Sequence, residues 1–392
     1  MPNDTDIMAG FHAPATILEL HDIQGDILIG LPKKFQVFVF FSIEDVALFK
    51  TRFRAALLSR VTTTEQVEQQ MAQIAASKRA GYTDLLPIFG FNVAFTSPGV
   101  TLLVGSSAGM DASFVAGAKA QALNPQPVAI VPGVGINDPQ DGSGRLSTWS
   151  PDYINDEAIH GVMMFTGPQS TPVLDHVQNA LAELGSSISE IRREVGQVRP
   201  GLEDGHEHFG YLDGVSQPGV RGLTKRTDPF TRPNEGLPGQ ELLWPGMFVF
   251  GYETQIKPTT APTAPIEDEF APAPPVPLPP GLDWMRNGSL MVFRRLNQKV
   301  PEFRAFSAQQ GAALGVDPVL LEARMVGRWK SGAPLEITPL QDEPELAAKP
   351  AENNDFVFSS DQFQRACPYA AHIRKVNPRD DFEVPASSAT DA

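Results

Sequence analysis

Cysteine is nearly missing from this sequence: Cys367 stands alone among 392 residues. A single thiol closes no intrachain disulfide and leaves no thiolate cluster for structural zinc or an iron–sulfur centre. Any redox chemistry has to come from a bound cofactor. Long apolar runs are missing too. The most apolar stretch, Phe35 to Ile43 (FQVFVFFSI), is nine residues long, too short to cross a bilayer as a helix and rich in β-formers. Residues 1–18 show no basic n-region followed by an apolar h-region, so no secretory leader is visible. The chain reads as soluble, with secretion after loss of a leader left open. Positive charge is scarce: 31 Lys and Arg face 46 Asp and Glu, a formal net charge of −15 with a pI near 4.9. Such a surface repels phosphate backbones and anionic headgroups, so neither nucleic acid nor a membrane is an expected partner.

What is present in ordinary amount, 42% hydrophobic and 20% charged residues, suffices for a sizeable core. The length makes two domains the expected count. Apolar runs of strand length alternate with longer stretches of helical period, the pattern of an α+β fold. Strands are predicted at residues 35–41, 89–95, 158–165 and 187–198, and helices at 45–58, 64–77 and 171–184, with Thr63 or Thr64 as an N-cap. Four strands with these helices, closing on a β-α-β unit, make a ferredoxin-like sandwich.

The second half opens on a glycine-rich loop holding Gly201, Gly205, Gly210, Gly214 and Gly219. Strands are predicted at 247–252 and 289–296, and helices at 301–311 and 318–326. Between the two strands, residues 258–280 hold nine prolines, an extended, polyproline-like surface excursion. After Trp329 only a weak strand near 335–338 and an apolar patch at 356–359 remain, too little to match the first sheet. The expected organisation is a tail over 1–20, a ferredoxin-like domain over 21–200, and a second α+β domain over 201–392 whose antiparallel sheet is incomplete.

Candidate chemistry concentrates in that second half. His160 opens an apolar strand and reads as a satisfied core or edge residue, and His176 as a solvated position on an amphipathic helix. His206 and His208 flank Glu207; on a strand, period-two spacing would put both imidazoles on one face and invite a metal reading. No third ligand lies nearby, and the neighbouring glycines favour a loop held by side-chain hydrogen bonds. Asp213 stands in Gly210-Tyr-Leu-Asp213-Gly214, followed by Val215-Ser-Gln217-Pro. Asp before Gly is an ordinary turn, yet dense glycine lets a backbone approach a flat ligand closely while presenting one carboxylate. His372, in Cys367-Pro-Tyr-Ala-Ala-His372-Ile-Arg374-Lys375, is a neutral-ligand candidate among cations able to hold carboxylates such as haem propionates. A structural histidine is the alternative. Asn287-Gly-Ser289 matches the glycosylation pattern but falls in a predicted strand.

At the Asp213 and His372 segments the sequence resembles the dye-decolorizing peroxidases, more particularly their fungal branch. The likeness extends to His21-Asp-Ile-Gln-Gly25-Asp-Ile-Leu, Val198-Arg-Pro-Gly201 and Asn287-Gly-Ser-Leu-Met-Val-Phe-Arg294, in family order over residues 20–381. The resemblance implies two ferredoxin-like α+β domains, with haem b held in the second, His372 as axial iron ligand and Asp213 as catalytic acid–base on the peroxide side. Gly210, Gly214, Gln217 and Arg374 are the implied cofactor contacts. Hydrogen peroxide is the implied oxidant, and phenols, anthraquinone-type dyes and similar small aromatics are the implied reductants. The resemblance also implies a distal Arg and further strands after the axial His. Only Arg374 and Arg379 follow His372 before Ala392, so the expectation is a family member shortened at its C-terminus. Two alternatives stay open: a catalytically impaired haem-binding chain with an unfinished pocket, and an acidic α+β binding module with a turn Asp and a structural His.

Overall fold

Strand β1, Phe35–Ile43, buries nearly every second residue, as a pleated segment does when one face meets a core. Its neighbours are β2 (Gly90–Phe95), β3 (Gly161–Gly167) and β4 (Ile188–Gln197). They form a four-stranded sheet in the order β2-β3-β1-β4, with every pair antiparallel. β3 and β4 flank β1 and run in the same direction, joined by the helix Ser170–Leu184. That is the split β-α-β arrangement of a ferredoxin-like fold. The four strands of this unit lie between Phe35 and Gln197. The structure, a computed structural model, describes residues 18–123, 138–224, 235–254, 275–377 and 379. Most of the proline-rich stretch, the first 17 residues and the polar tail expected at 385–392 lie outside the described residues.

Two faces of the sheet are used differently. Val37, Val39 and Phe41 point into a core shared with Phe49, Leu57, Val173, Val177 and Leu184. The helices that cover it include α1 (Val46–Arg52), α3 (Ser97–Val104) and α4 (Ser170–Leu184), while α2 (Thr64–Arg79) packs through Val67 on Gly25. Their starts follow from local chemistry. Asp45 accepts the Leu48 N–H at 2.9 Å, Thr63 and Gln66 form a reciprocal capping box, and Thr96 caps α3, each side chain satisfying an amide that the first helical turn leaves open. On the opposite face Phe38 and Phe40 meet Phe293 from the second half, with ring centroids 5.2 and 4.9 Å apart.

The second half is built from turns and helices. Helices α5 (Val300–Leu314) and α6 (Pro318–Val326) match the predicted positions. Strands β5 (Gly219–Val220) and β6 (Leu242–Leu243) pair in parallel and are the only regular sheet of this half among the described residues. Two predicted strands are corrected. Residues 247–252 curl into helical turns after Pro245, with the Phe248 and Val249 amides both donating to the Pro245 carbonyl. Residues 289–296 run without ladder partners among the described residues and leave Val292 and Leu296 exposed. A strand is defined by its neighbour's hydrogen bonds, and apolar composition alone supplies none. Residues 335–338 are likewise a turn. No described helix is long and apolar enough to cross a membrane.

Candidate active site on the Gly327–Leu335 turn

The Asp213 segment folds as a tight hairpin. His206 and Leu212 form an isolated antiparallel bridge, the Asp213 N–H donates to the Gly205 carbonyl at 2.8 Å, and the Glu207 N–H donates to the Tyr211 carbonyl at 2.9 Å. Gly205, Gly210 and Gly214 all adopt left-handed φ, at 80°, 99° and 67°, so the chain can reverse without a Cβ penalty. His208 sits in the turn itself and His206 on the bridge, so they do not share a strand face. No group of three metal-binding side chains exists among the described residues. The loop held by side-chain hydrogen bonds is therefore the arrangement observed.

Glu207, which sequence reading treats only as a spacer between two histidines, organises that hairpin. Its Oε1 accepts the Tyr211 N–H at 2.7 Å and its Oε2 the Phe209 N–H at 2.9 Å. Gln298 also donates to Oε2, and its own Oε1 accepts the His208 N–H at 3.0 Å. No local signal announces this, because Gln298 comes from the far side of the proline-rich stretch.

Asp213 is exposed, and among the described residues its Oδ1 accepts the following Gly214 N–H, at 2.8 Å. An added Cβ on Gly214 would meet nothing within 4 Å, so open space lies beside the carboxylate. Gln217 is exposed at the end of the loop. Gly210 packs over the Lys330 side chain, whose ammonium lies 5.8 Å from the Tyr211 ring and 3.0 Å from the Glu322 carboxylate.

The hairpin is seated on a second turn, Gly327 to Leu335. This turn is closed by Trp329 N–H to Ala333 O at 2.8 Å and Leu335 N–H to Gly327 O at 3.1 Å. Leu212 donates its N–H to the Lys330 carbonyl at 3.1 Å. Farther along, Asn354 Nδ2 donates to the Val215 carbonyl at 3.1 Å while its Oδ1 accepts from Arg328 at 2.6 Å. Arg328 is buried, and desolvation pulls its guanidinium down to about 10, with repulsion from Arg379 adding to the shift.

The His372 segment docks on the same turn. Helix α7 (His372–Val376) is short, and Ile373 lies so close to Gly327 that an added Cβ there would come 2.3 Å from Ile373 Cγ1. His372 itself is exposed at the first helical position. Cys367 is fully buried in the cluster of Trp329, Leu335, Phe356 and Phe358, and burial pushes its thiol up to about 12. It stays a protonated core residue and offers no thiolate to a metal.

Arg374 departs from its expected role. Its guanidinium is turned inward, donating to the carbonyls of Cys367 (2.6 Å) and Asp361 (3.3 Å) and stacking on Phe358 and Tyr369. With a side chain only 1% accessible, it braces the His372 segment from beneath. The exposed cation beside His372 is Lys375.

The fold agrees with known proteins. A family model described as the DyP dimeric alpha+beta barrel domain matches residues 22–200, the span of the four-stranded sheet. A solved ancestral D-type dye-decolorizing peroxidase superposes with a TM-score of 0.73 at 36% identity, over 94% of this chain and 72% of that one. The chain belongs to the dye-decolorizing peroxidase family. Another dye-decolorizing peroxidase structure, in complex with 2,6-dimethoxyphenol, shares 33% identity with a TM-score of 0.68 over 94% of this chain and 73% of that one. Among curated relatives, dye-decolorizing peroxidase msp1 of Mycetinis scorodonius is 36% identical over 376 residues, and a dye-decolorizing peroxidase of Mycena epipterygia 35% over 386. These alignments cover 93% and 95% of this chain but 61% and 62% of the relatives, so the chain spans less than two thirds of their length.

Proposed function

We propose that the chain is a haem-dependent peroxidase in which His372 ligates iron and Asp213 handles the protons of hydrogen peroxide, with small phenolic or anthraquinone-type aromatics as reductants. The observation that carries this reading is the common seat: two segments far apart in sequence, each presenting one exposed functional side chain, are anchored on the single Gly327–Leu335 turn. The donor set fits haem b. The imidazole of His372 is exposed, the neighbouring thiol is buried and protonated, and the glycine hairpin leaves open space beside its carboxylate.

When bound, haem b would supply the redox chemistry of its iron toward peroxide, with His372 as the residue that would hold it. The chain's own contribution is positional and protonic. His372 holds the group from a helix start braced by buried Arg374. Asp213 has Oδ1 engaged by Gly214 N–H, and the proton is taken from peroxide at Oδ2 and returned to the leaving oxygen, the role of a general acid–base. Gly210 and Gly214 let the hairpin approach a flat ligand, and Gln217 lies at its rim.

The test is reconstitution of the chain with haem. His372→Ala should lose the Soret band of a bound ferric haem while His206→Ala keeps it. Asp213→Asn should bind haem but oxidise 2,6-dimethoxyphenol with peroxide about a hundred- to ten-thousand-fold more slowly. A bound-haem spectrum retained in His372→Ala, or an unaffected Asp213→Asn, overturns the corresponding assignment.

A further inference from the structure

We propose that Glu207, acting with Gln298, is the residue that positions Asp213; the inference rests on the acid–base reading above for its functional half. Among the described residues, the Asp213 carboxylate has the local Gly214 N–H as its hydrogen-bond partner. Its position is inherited from the backbone, through Asp213 N–H to Gly205 O and Leu212 N–H to Lys330 O. That backbone contains three glycines at left-handed φ, residues with the widest conformational freedom of any. Something else has to remove that freedom.

Of the four amides at the hairpin tip, that of Gly210 donates to the Glu207 carbonyl at 3.0 Å, and those of His208, Phe209 and Tyr211 are taken by two side chains. Glu207 accepts the latter two and Gln298 the first, and Gln298 donates back to Glu207. Arg199 grips the other side of the same residue, donating to the Glu207 carbonyl at 2.8 Å while paired with Glu203 at 2.7 Å. Three hydrogen bonds converge on one carboxylate, and charge-assisted bonds are the strong ones. The clasp thus converts a glycine hairpin into a fixed platform, and a misplacement of about 1 Å at such a platform costs on the order of a hundredfold in rate.

The test exploits a swap. In Glu207→Gln the shape is kept, but one oxygen becomes an NH2 facing an N–H donor. In the double variant Glu207→Gln/Gln298→Glu the 207–298 bond is remade in the opposite sense: the amide NH2 at 207 donates to the new carboxylate, which still accepts the His208 N–H, and the amide oxygen accepts the Tyr211 N–H, leaving only the Phe209 N–H without its acceptor. Hydrogen exchange on the full haem-free chain should show protection at Tyr211 and Asp213 falling at least tenfold in Glu207→Gln, with β1 to β4 unchanged, and recovering in the swap. With haem bound, the peroxide step should slow by about a hundredfold while KM for 2,6-dimethoxyphenol stays constant, and the swap should restore most of the rate. Unchanged protection, lost protection without slower reaction with peroxide, or no recovery in the swap overturns the proposal. Asp213→Asn measured alongside separates the two readings: if it keeps full turnover, the acid–base role fails, and the exchange data alone still decide whether Glu207 holds the hairpin.

Discussion

His160 shows how one side chain can make a sheet pH-dependent. It reads from the sequence as a satisfied residue, and it is one: its Nδ1 accepts the Ile43 N–H at 2.7 Å, its N–H donates to Phe41 O at 2.9 Å, and its carbonyl accepts from Thr96 at 3.1 Å. Burial lowers its pKa against the opposing pull of Glu44. The folded state therefore prefers the neutral ring, and the unfolded chain takes up the proton first, near the ordinary value of about 6.5. Stability is lost as pH falls below that point, since there the unfolded state binds more protons. In His160→Asn the amide oxygen can replace Nδ1 as acceptor without titrating. Urea midpoints at pH 7.5 and 5.0 should fall further in the parent chain than in this variant.

Helix ends show where local chemistry suffices and where it does not. Thr63 is a cap legible in the sequence, and the structure adds Asp45 and the Gln66 half of the box; in each, a cap and its target amide lie within three residues of each other. Gly327 is also a helix end, closing α6 at φ 94°, but its second duty depends on a segment far along the chain. A Cβ there would come 2.3 Å from Ile373 Cγ1 and 3.3 Å from Cys367 Sγ. Gly315 closes α5 at φ 67° with nothing within 4 Å and so serves as a control for backbone strain alone. Gly315→Ala should cost about 1–2 kcal/mol. Gly327→Ala should cost clearly more in thermal denaturation and should make Cys367 react faster with a thiol reagent, since relieving the clash moves the His372 segment away from its seat. Equal costs with an unreactive Cys367 would mean that the two segments are not mechanically linked.

For the molecule as a whole, the halves are fastened by a strap near the N-terminus. Residues 18–20, expected as the end of a tail, are part of the structure: Leu18 and Ile23 share a core with Val220, Val249 and Tyr252. Asn287 is the knot. Its amide donates to Glu19 at 2.7 Å and Asp22 at 2.8 Å, and its oxygen accepts from the Tyr252 hydroxyl at 2.8 Å. This buried residue spends both amide hydrogens inside the fold, so it is a poor glycosylation acceptor because of burial, not because of a strand. Asn287→Ala strands these partners and should cost about 1–3 kcal/mol. Hydrogen exchange should accelerate over residues 18–28 while β1 to β4 keep their protection; uniform acceleration would mean that the strap and the sheet unfold together.

The sequence by itself determined the ferredoxin-like first unit, down to strand ends within about three residues, and it singled out Asp213 and His372 as the residues the proposal tests. Both are properties of short windows: alternation over β1, a cap beside its helix, a glycine cluster around one acid. It did not determine that residues 289–296 would lack a ladder, that Arg374 would face the core, or that Glu207 and Gln298 would clasp the Asp213 hairpin. Each of these depends on which distant backbone or side chain supplies the hydrogen-bond partner, and a partner brought by the fold leaves no mark in the local residue pattern.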